Sequence, residues 1–414
     1  MLKHYGLDPK YINLNNGSYG TPLKPVLRAA EELTAKIEAN PDYFIRIEYL
    51  PLLADVRQRL ATFVGAKTEE VVLVTNASVG LNTILRNLEW EEGDLILSLS
   101  TTYESVSRTI QYLTDLSPHL ISRVLNLNFP TTHSEIIEAF RKFLHDNPVK
   151  PDKKRVAVID SIISCPGVLL PWKELVKICK EEGVLSIVDA AHSIGQEVGL
   201  NLTEIGPDFW VIVTNGSLEN ARPLFFMSPS GENQHMIKAA FPTSVDYISP
   251  KNRLTPNENL VKQFEWGGLI ECAPYLTIPH ALEFREWMGG EEKINGYCHN
   301  LALNGGKALA KVLGTSVMDP DAVDSDDWII QILYFKVNVA LSIPPSIKGT
   351  GEVLTAIRRK MLLDHNAFAL VYYHNDKWWV RCSAQVWNEV EDFEKIGKVL
   401  LQVGDEIVKE FGGA

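Results

Sequence analysis

Between residues 71 and 227, short β-branched runs alternate with helical stretches, and a chain patterned in this way builds a parallel sheet covered by helices. The predicted strands are 71–75, 95–99, 121–127, 155–160, 184–189, 210–214 and 224–227. Residues 171–182 mark one intervening helix: Pro171 stands in the first turn, Leu175, Val176 and Cys179 recur at helical spacing, and Gly183 supplies the stop. From 281 to 313 the pattern is mainly helical. Beyond it, a strand at 328–337 and a hairpin through His374-Asn375-Asp376-Lys377 lead to an amphipathic closing helix, 390–411. The expected fold class is α/β: a large domain, 22–275, around a mostly parallel sheet, and a smaller α+β domain built from 1–21 and 276–414.

Composition narrows the function. With 414 residues, 45% of them hydrophobic, the chain is long enough for a sizeable core. A net charge of −12 with no basic run disfavours nucleic acid and anionic lipid as partners. No stretch of about 18 apolar residues appears and residues 1–15 lack a secretory pattern, so no membrane span and a cytoplasmic location are expected. The five cysteines are scattered without CxxC spacing, which argues against a disulfide framework or a zinc site; no metal is expected.

In open parallel sheets, ligands gather at the carboxyl ends of the strands, so the residues just after each strand are the first candidates. Strand 71–75 runs into Asn76-Ala77-Ser78 and a helix over 79–88, an arrangement suited to an anion, with a plain helix cap as the competing reading. Strand 95–99 ends near Tyr103-Glu104: the tyrosine could stack on a planar ligand, and the glutamate is a candidate base. Two strands end in Asp160 and Asp189, separated by one helix, so both carboxylates should lie on neighbouring strands at one edge. The run Asp189-Ala190-Ala191-His192 sets an imidazole beside the second acid, a pairing for proton transfer or for holding a cationic ring nitrogen. Arg381 interrupts an apolar strand, where an arginine usually grips a carboxylate bidentately, with a structural ion pair as the competing reading.

Taken in order, these residues resemble the class V aminotransferase family of fold type I pyridoxal-phosphate (PLP) enzymes, and within it the isopenicillin N epimerase-like and ergothioneine C–S lyase-like branch. The resemblance covers nearly the whole chain. It rests on the run from Leu14 to Gly20, on Asn40-Pro41-Asp42-Tyr43-Phe44-Ile45-Arg46, on Thr75-Asn76-Ala77-Ser78, on the run from Asp189 to Gln196, on Phe264-Glu265-Trp266 and on Arg381-Cys382-Ser383-Ala384-Gln385. It implies a fold type I architecture and a homodimer with clefts at the interface. It also implies that Asn76, Ala77 and Ser78 face a cofactor phosphate, Tyr103 the pyridine face, Asp189 the ring nitrogen, His192 the ring edge and Arg381 a substrate carboxylate.

The departures from the family pattern shape the functional expectation. Where the family has His-Lys-Trp after its strand, with the lysine that forms the Schiff base, this chain reads Gly216-Ser217-Leu218, and no lysine occurs between Lys180 and Lys238. The family's Asp-His pair reads Asp160-Ser161, and its Thr-Gly-Thr reads Gly267-Gly268-Leu269. The expectation that follows is a cofactor-independent isomerase, epimerase or lyase with no PLP, working by acid–base proton transfer through Asp189, His192, Glu104 and Asp160. Tyr103, Arg381, Asn76, Ser78, Ser217 and Leu218 would contact a bulky, weakly charged metabolite of specialised metabolism. The alternatives are a PLP-dependent epimerase or C–S lyase that binds PLP without an internal aldimine, and a non-catalytic binding protein.

Overall fold

The computed structural model describes residues 1–116, 120–213, 225–229, 232–249, 251, 260–266, 268, 271–318 and 335–412, with 213 and 225–229 described by backbone alone. The N-terminal segment contributes β1, Ile12–Asn13. The large sheet then collects β2 (Val72–Val74), β3 (Leu95–Leu99), β4 (Ile121–Leu125), β5 (Arg155–Asp160), β6 (Leu185–Ala190), β7 (Phe209–Val213) and β8 (Phe225–Pro229). Their order is β2-β8-β7-β6-β5-β3-β4, and only β8 runs antiparallel to its neighbours. The architecture is the α/β, mostly parallel sheet that the strand–helix alternation dictates.

Every expected strand of this sheet is present: 95–99 and 155–160 match, the others shift by one or two residues at one or both ends, and 214 and 224 lie outside the described residues. β5 is buried along nearly its whole length because helices cover both faces of the sheet, so its sequence is a continuous apolar run. Alternation still sorts its side chains. Leu95, Leu97, Leu99, Ala157 and Ile159 enter the core on one face, while Ile96, Val156, Val158 and Ile187 enter the core on the other. Asp160 and Asp189 share the parity of Val158 and Ile187, so both acids end on that second face. There the helix Ala77–Asn87 and the helix Glu104–Leu116 bring Leu81, Ile84, Val106 and Ile110 into contact with the strands. β4 and β2 are the two edge strands; β4 is exposed or half-buried along its length, whereas β2 is buried.

In the remaining part, β9 (Lys336–Ala340), β11 (Leu370–His374) and β12 (Lys377–Ser383) form an antiparallel sheet with β12 in the middle, while β10 (Ala367–Phe368) pairs in parallel with β1. The expected hairpin is present, its turn built on left-handed Asn375 and Asp376. The strand expected over 328–337 begins at Lys336 in the described chain; residues 328–334 lie outside the described residues. The helical stretch expected over 281–313 divides into Ile278–Trp287 and Glu291–Leu313 around Gly289 and Gly290, both at positive φ. The closing helix, Val390–Phe411, buries Phe393, Ile396, Leu400, Val403 and Ile407 against the three-stranded sheet and its neighbouring helix. Each such side chain contributes roughly 1.5–3 kcal/mol by leaving water.

Among the described residues no helix is long and apolar enough to cross a membrane.

Candidate active site

The two strand-end acids are paired across the sheet, Asp160 opposite Asp189 in the β5–β6 register, and both are almost fully buried. Asp160 accepts from the Thr101 hydroxyl at 3.5 Å, and Asp189 accepts from the Ala191 amide at 3.1 Å. Among the described residues neither has an ion-pair partner. Burial raises the Asp189 carboxyl from 3.8 to about 6. Asp160 is raised well above its ordinary range by burial and then by the charge of Asp189. Buried on neighbouring strands, the two carboxyls resist ionising together, and the shift is the stronger at Asp160. His192, three residues beyond Asp189, is kept well below its usual range, first by burial and also by the Arg381 guanidinium, which favours the neutral ring.

Arg381 enters from β12. It is fully buried, donating to the Ser164 carbonyl at 2.5 Å, to Asn15 Oδ1 at 3.0 Å and to the Ser18 hydroxyl at 2.9 Å, while its Nε has no partner among the described residues. No carboxylate of the described chain faces it, so the structural ion pair weighed from the sequence is not what holds it. The β1–β10 pairing and the bond from the Ser383 amide to the Leu14 carbonyl at 2.7 Å deliver residues 15–18 to this spot.

Asn76 accepts from the Val79 amide at 2.8 Å, so its side chain caps its own helix. Ser78 shares a 2.7 Å hydrogen bond with Ser105, which sets the first turns of the helices Ala77–Asn87 and Glu104–Leu116 side by side. Tyr103 is more than half exposed beside them. Glu104 is also exposed and pairs with Arg108 at 3.5 Å, so it stands in water and does not join the buried cluster. Ser217 and Leu218, with Gly267 and Leu269, lie outside the described residues.

Three groups in the cluster escaped the sequence reading. Lys336 is almost fully buried and its amine has no hydrogen-bond partner among the described residues, the Cys165 thiol is pushed up to about 11 by burial, and Tyr372 donates to Asn338 Oδ1 at 3.0 Å. The alternation of Lys336-Val337-Asn338-Val339 carried a signal: the two valines enter the apolar core, which sends Lys336 and Asn338 to the opposite face.

Residues 14–214 match the model of the family "Aminotransferase class-V". An L-cysteine desulfhydrase-like protein, lolT1, of Epichloe uncinata is 31% identical over the whole of this chain and 97% of its own length. The chain belongs to the class V aminotransferase family. A hercynylcysteine sulfoxide lyase of Schizosaccharomyces pombe is 30% identical over 97% of this chain and 96% of its own. The fold itself recurs among solved structures. A mutant of C-DES with glycine covalently linked to its PLP cofactor superposes with a TM-score of 0.76, covering 98% of this chain and 99% of its own at 16% identity.

These findings correct the expectation of a cofactor-independent enzyme. The relatives are named for desulfhydrase and sulfoxide lyase activities, and the fold neighbour holds PLP. The physical reason is that residues missing from one segment say what that segment lacks. They do not empty the rest of the site, whose buried acids and arginine still call for a charged guest.

Proposed function

We propose that this chain is a PLP-dependent lyase that breaks a carbon–sulfur bond in a small substrate bearing a carboxylate. One observation carries the reading: the buried charges lack partners among the described residues, Arg381 without an acid and the Asp160–Asp189 pair without a base. A substrate carboxylate answers the first, and a protonated pyridine nitrogen answers the second.

The residues present fit the cofactor. Asp189 would hold the ring nitrogen, His192 and Tyr103 would bound the ring, and the helix start at Asn76, Ala77 and Ser78 would take the phosphate. Bound there, PLP supplies an electron sink for bonds broken at the substrate's α-carbon. The protein's own groups do the remaining work. Arg381 fixes the substrate carboxylate, and with it the direction in which the carbon–sulfur bond points. Asp160 resists ionising beside Asp189, which favours a single negative charge, on Asp189, against the ring nitrogen. His192, neutral at its ring, is able to accept a proton and return it. A homodimer with clefts at the interface belongs to the same reading, supported by the exposed apolar side chains Tyr19, Tyr43, Ile47 and Tyr103.

The test is to load the purified protein with PLP and offer L-cysteine, S-substituted cysteines and their sulfoxides, following release of sulfide or thiol together with the 2-oxo acid. Saturable release supports the lyase. A protein that binds PLP yet turns over none of the sulfur substrates, while racemising one of them, overturns it. A stable monomer in sedimentation overturns the dimer.

A further inference from the structure

Lys336 opens β9 directly opposite Ser383 in the register, with Asn338 opposite Arg381, so the four side chains share the face that looks away from the apolar core. The lysine stem passes between two glycines. A Cβ on Gly17 would sit 3.1 Å from its Cε, and one on Gly167 would sit 2.7 Å from its Cδ and 3.0 Å from the Cδ of Arg381. Glycine at both places gives the two long side chains room to lie side by side. Among the described residues the amine has no hydrogen-bond partner, and only 2% of the residue is exposed. No carboxylate among the described residues pairs with it.

A buried ammonium in this position would be heavily penalised, both by loss of water and by the neighbouring guanidinium. The direction of its titration agrees: burial first and Arg381 second hold Lys336 well below the ordinary lysine range. Burial thus favours the uncharged, nucleophilic form of this amine, in a site where residues 181–237 contain no lysine.

We infer that Lys336 is the amine with which this chain captures an aldehyde carbon in the site, that of PLP under the function proposed above, on which this inference rests. Its nitrogen attacks the carbonyl carbon, a C=N bond replaces the C=O bond, and the aldehyde oxygen leaves as one water with the two amine protons. The step needs no oxidant or reductant. The attachment point thus moves from the end of a strand in the large sheet to the first residue of a strand in the other part of the molecule, beside the arginine that binds the substrate.

The full-length protein is mixed with one equivalent of PLP near neutral pH, reduced with borohydride, digested and mapped by mass spectrometry, with equilibrium dialysis of PLP run in parallel. A single phosphopyridoxyl group on the peptide that contains Lys336 is the expected result. Lys336→Met should lower labelling about 10-fold or more while still taking up PLP in dialysis. PLP uptake with no adduct on Lys336, or with the adduct on another lysine, overturns this inference and leaves the proposed function standing. Failure of wild type to take up PLP overturns both. Mapping on the wild type decides the question even if the variant does not fold.

Discussion

Replacing Asp189 by asparagine gives the most discriminating test, because its effect should change sign with the cofactor. In the protein without PLP, Asp189 is buried with no basic partner among the described residues and titrates near 6, against 3.8 ordinarily. Between those values the folded chain still holds a proton that the unfolded chain has released. Stability therefore falls as pH rises from about 4 to about 6, and below that window there is no penalty. Two pH units correspond to about 3 kcal/mol. The side-chain amide of the Asp189→Asn variant cannot ionise and keeps an oxygen to accept the Ala191 amide. The variant should match wild type near pH 4 and exceed it at pH 7. With an unfolding entropy of about 2.1 cal/mol/K per residue, 3 kcal/mol over a chain of 414 residues is about 3 °C in Tm. Thermal melts of both proteins from pH 4 to 7.5, with and without PLP, give the readout. With PLP the order should reverse, since only the acid balances a protonated ring nitrogen. A Tm difference that does not vary with pH in the cofactor-free protein would refute the reasoning, because it would mean that Asp189 has a charge partner or is solvated.

His192→Ala should lower turnover about 10²-fold with little change in Tm if the neutral ring moves protons, and equal turnover would return it to a packing role. Arg381→Met should raise KM for a carboxylate substrate by about 10²-fold, the loss of a charge-assisted pair, while a substrate analogue lacking the carboxylate should barely notice; an equal loss for both substrates would refute carboxylate recognition. Gly167→Ala forces a methyl group to within 3.0 Å of both Lys336 and Arg381, so it should cost about 1–3 kcal/mol and raise KM as well. A melt and a KM like those of wild type would show that the two side chains pack more loosely than described.

The sequence by itself determined the framework, because strand and helix periodicity are local properties. A run such as Arg155–Asp160 is apolar on both faces only if helices cover both faces, and an acid at its end has nowhere to be except the carboxyl edge of the sheet. The opposition of Asp160 and Asp189 followed from one intervening helix and is seen in the register. The order of motifs also placed the chain in its family, since that order is a property of the chain itself. The identity of side chains at a single segment did not decide the chemistry. Missing residues around Leu218 suggested an enzyme without its cofactor, whereas the buried charges that call for one come from several separate parts of the chain. Only the tertiary structure showed that Glu104 stands in water with Arg108, that Arg381 has no acid opposite it, and that Lys336, more than 300 residues from Gly17 and about 170 from Gly167, lies between them with a bare amine. Burial and pairing depend on what distant segments bring to the same place, and no local pattern encodes that.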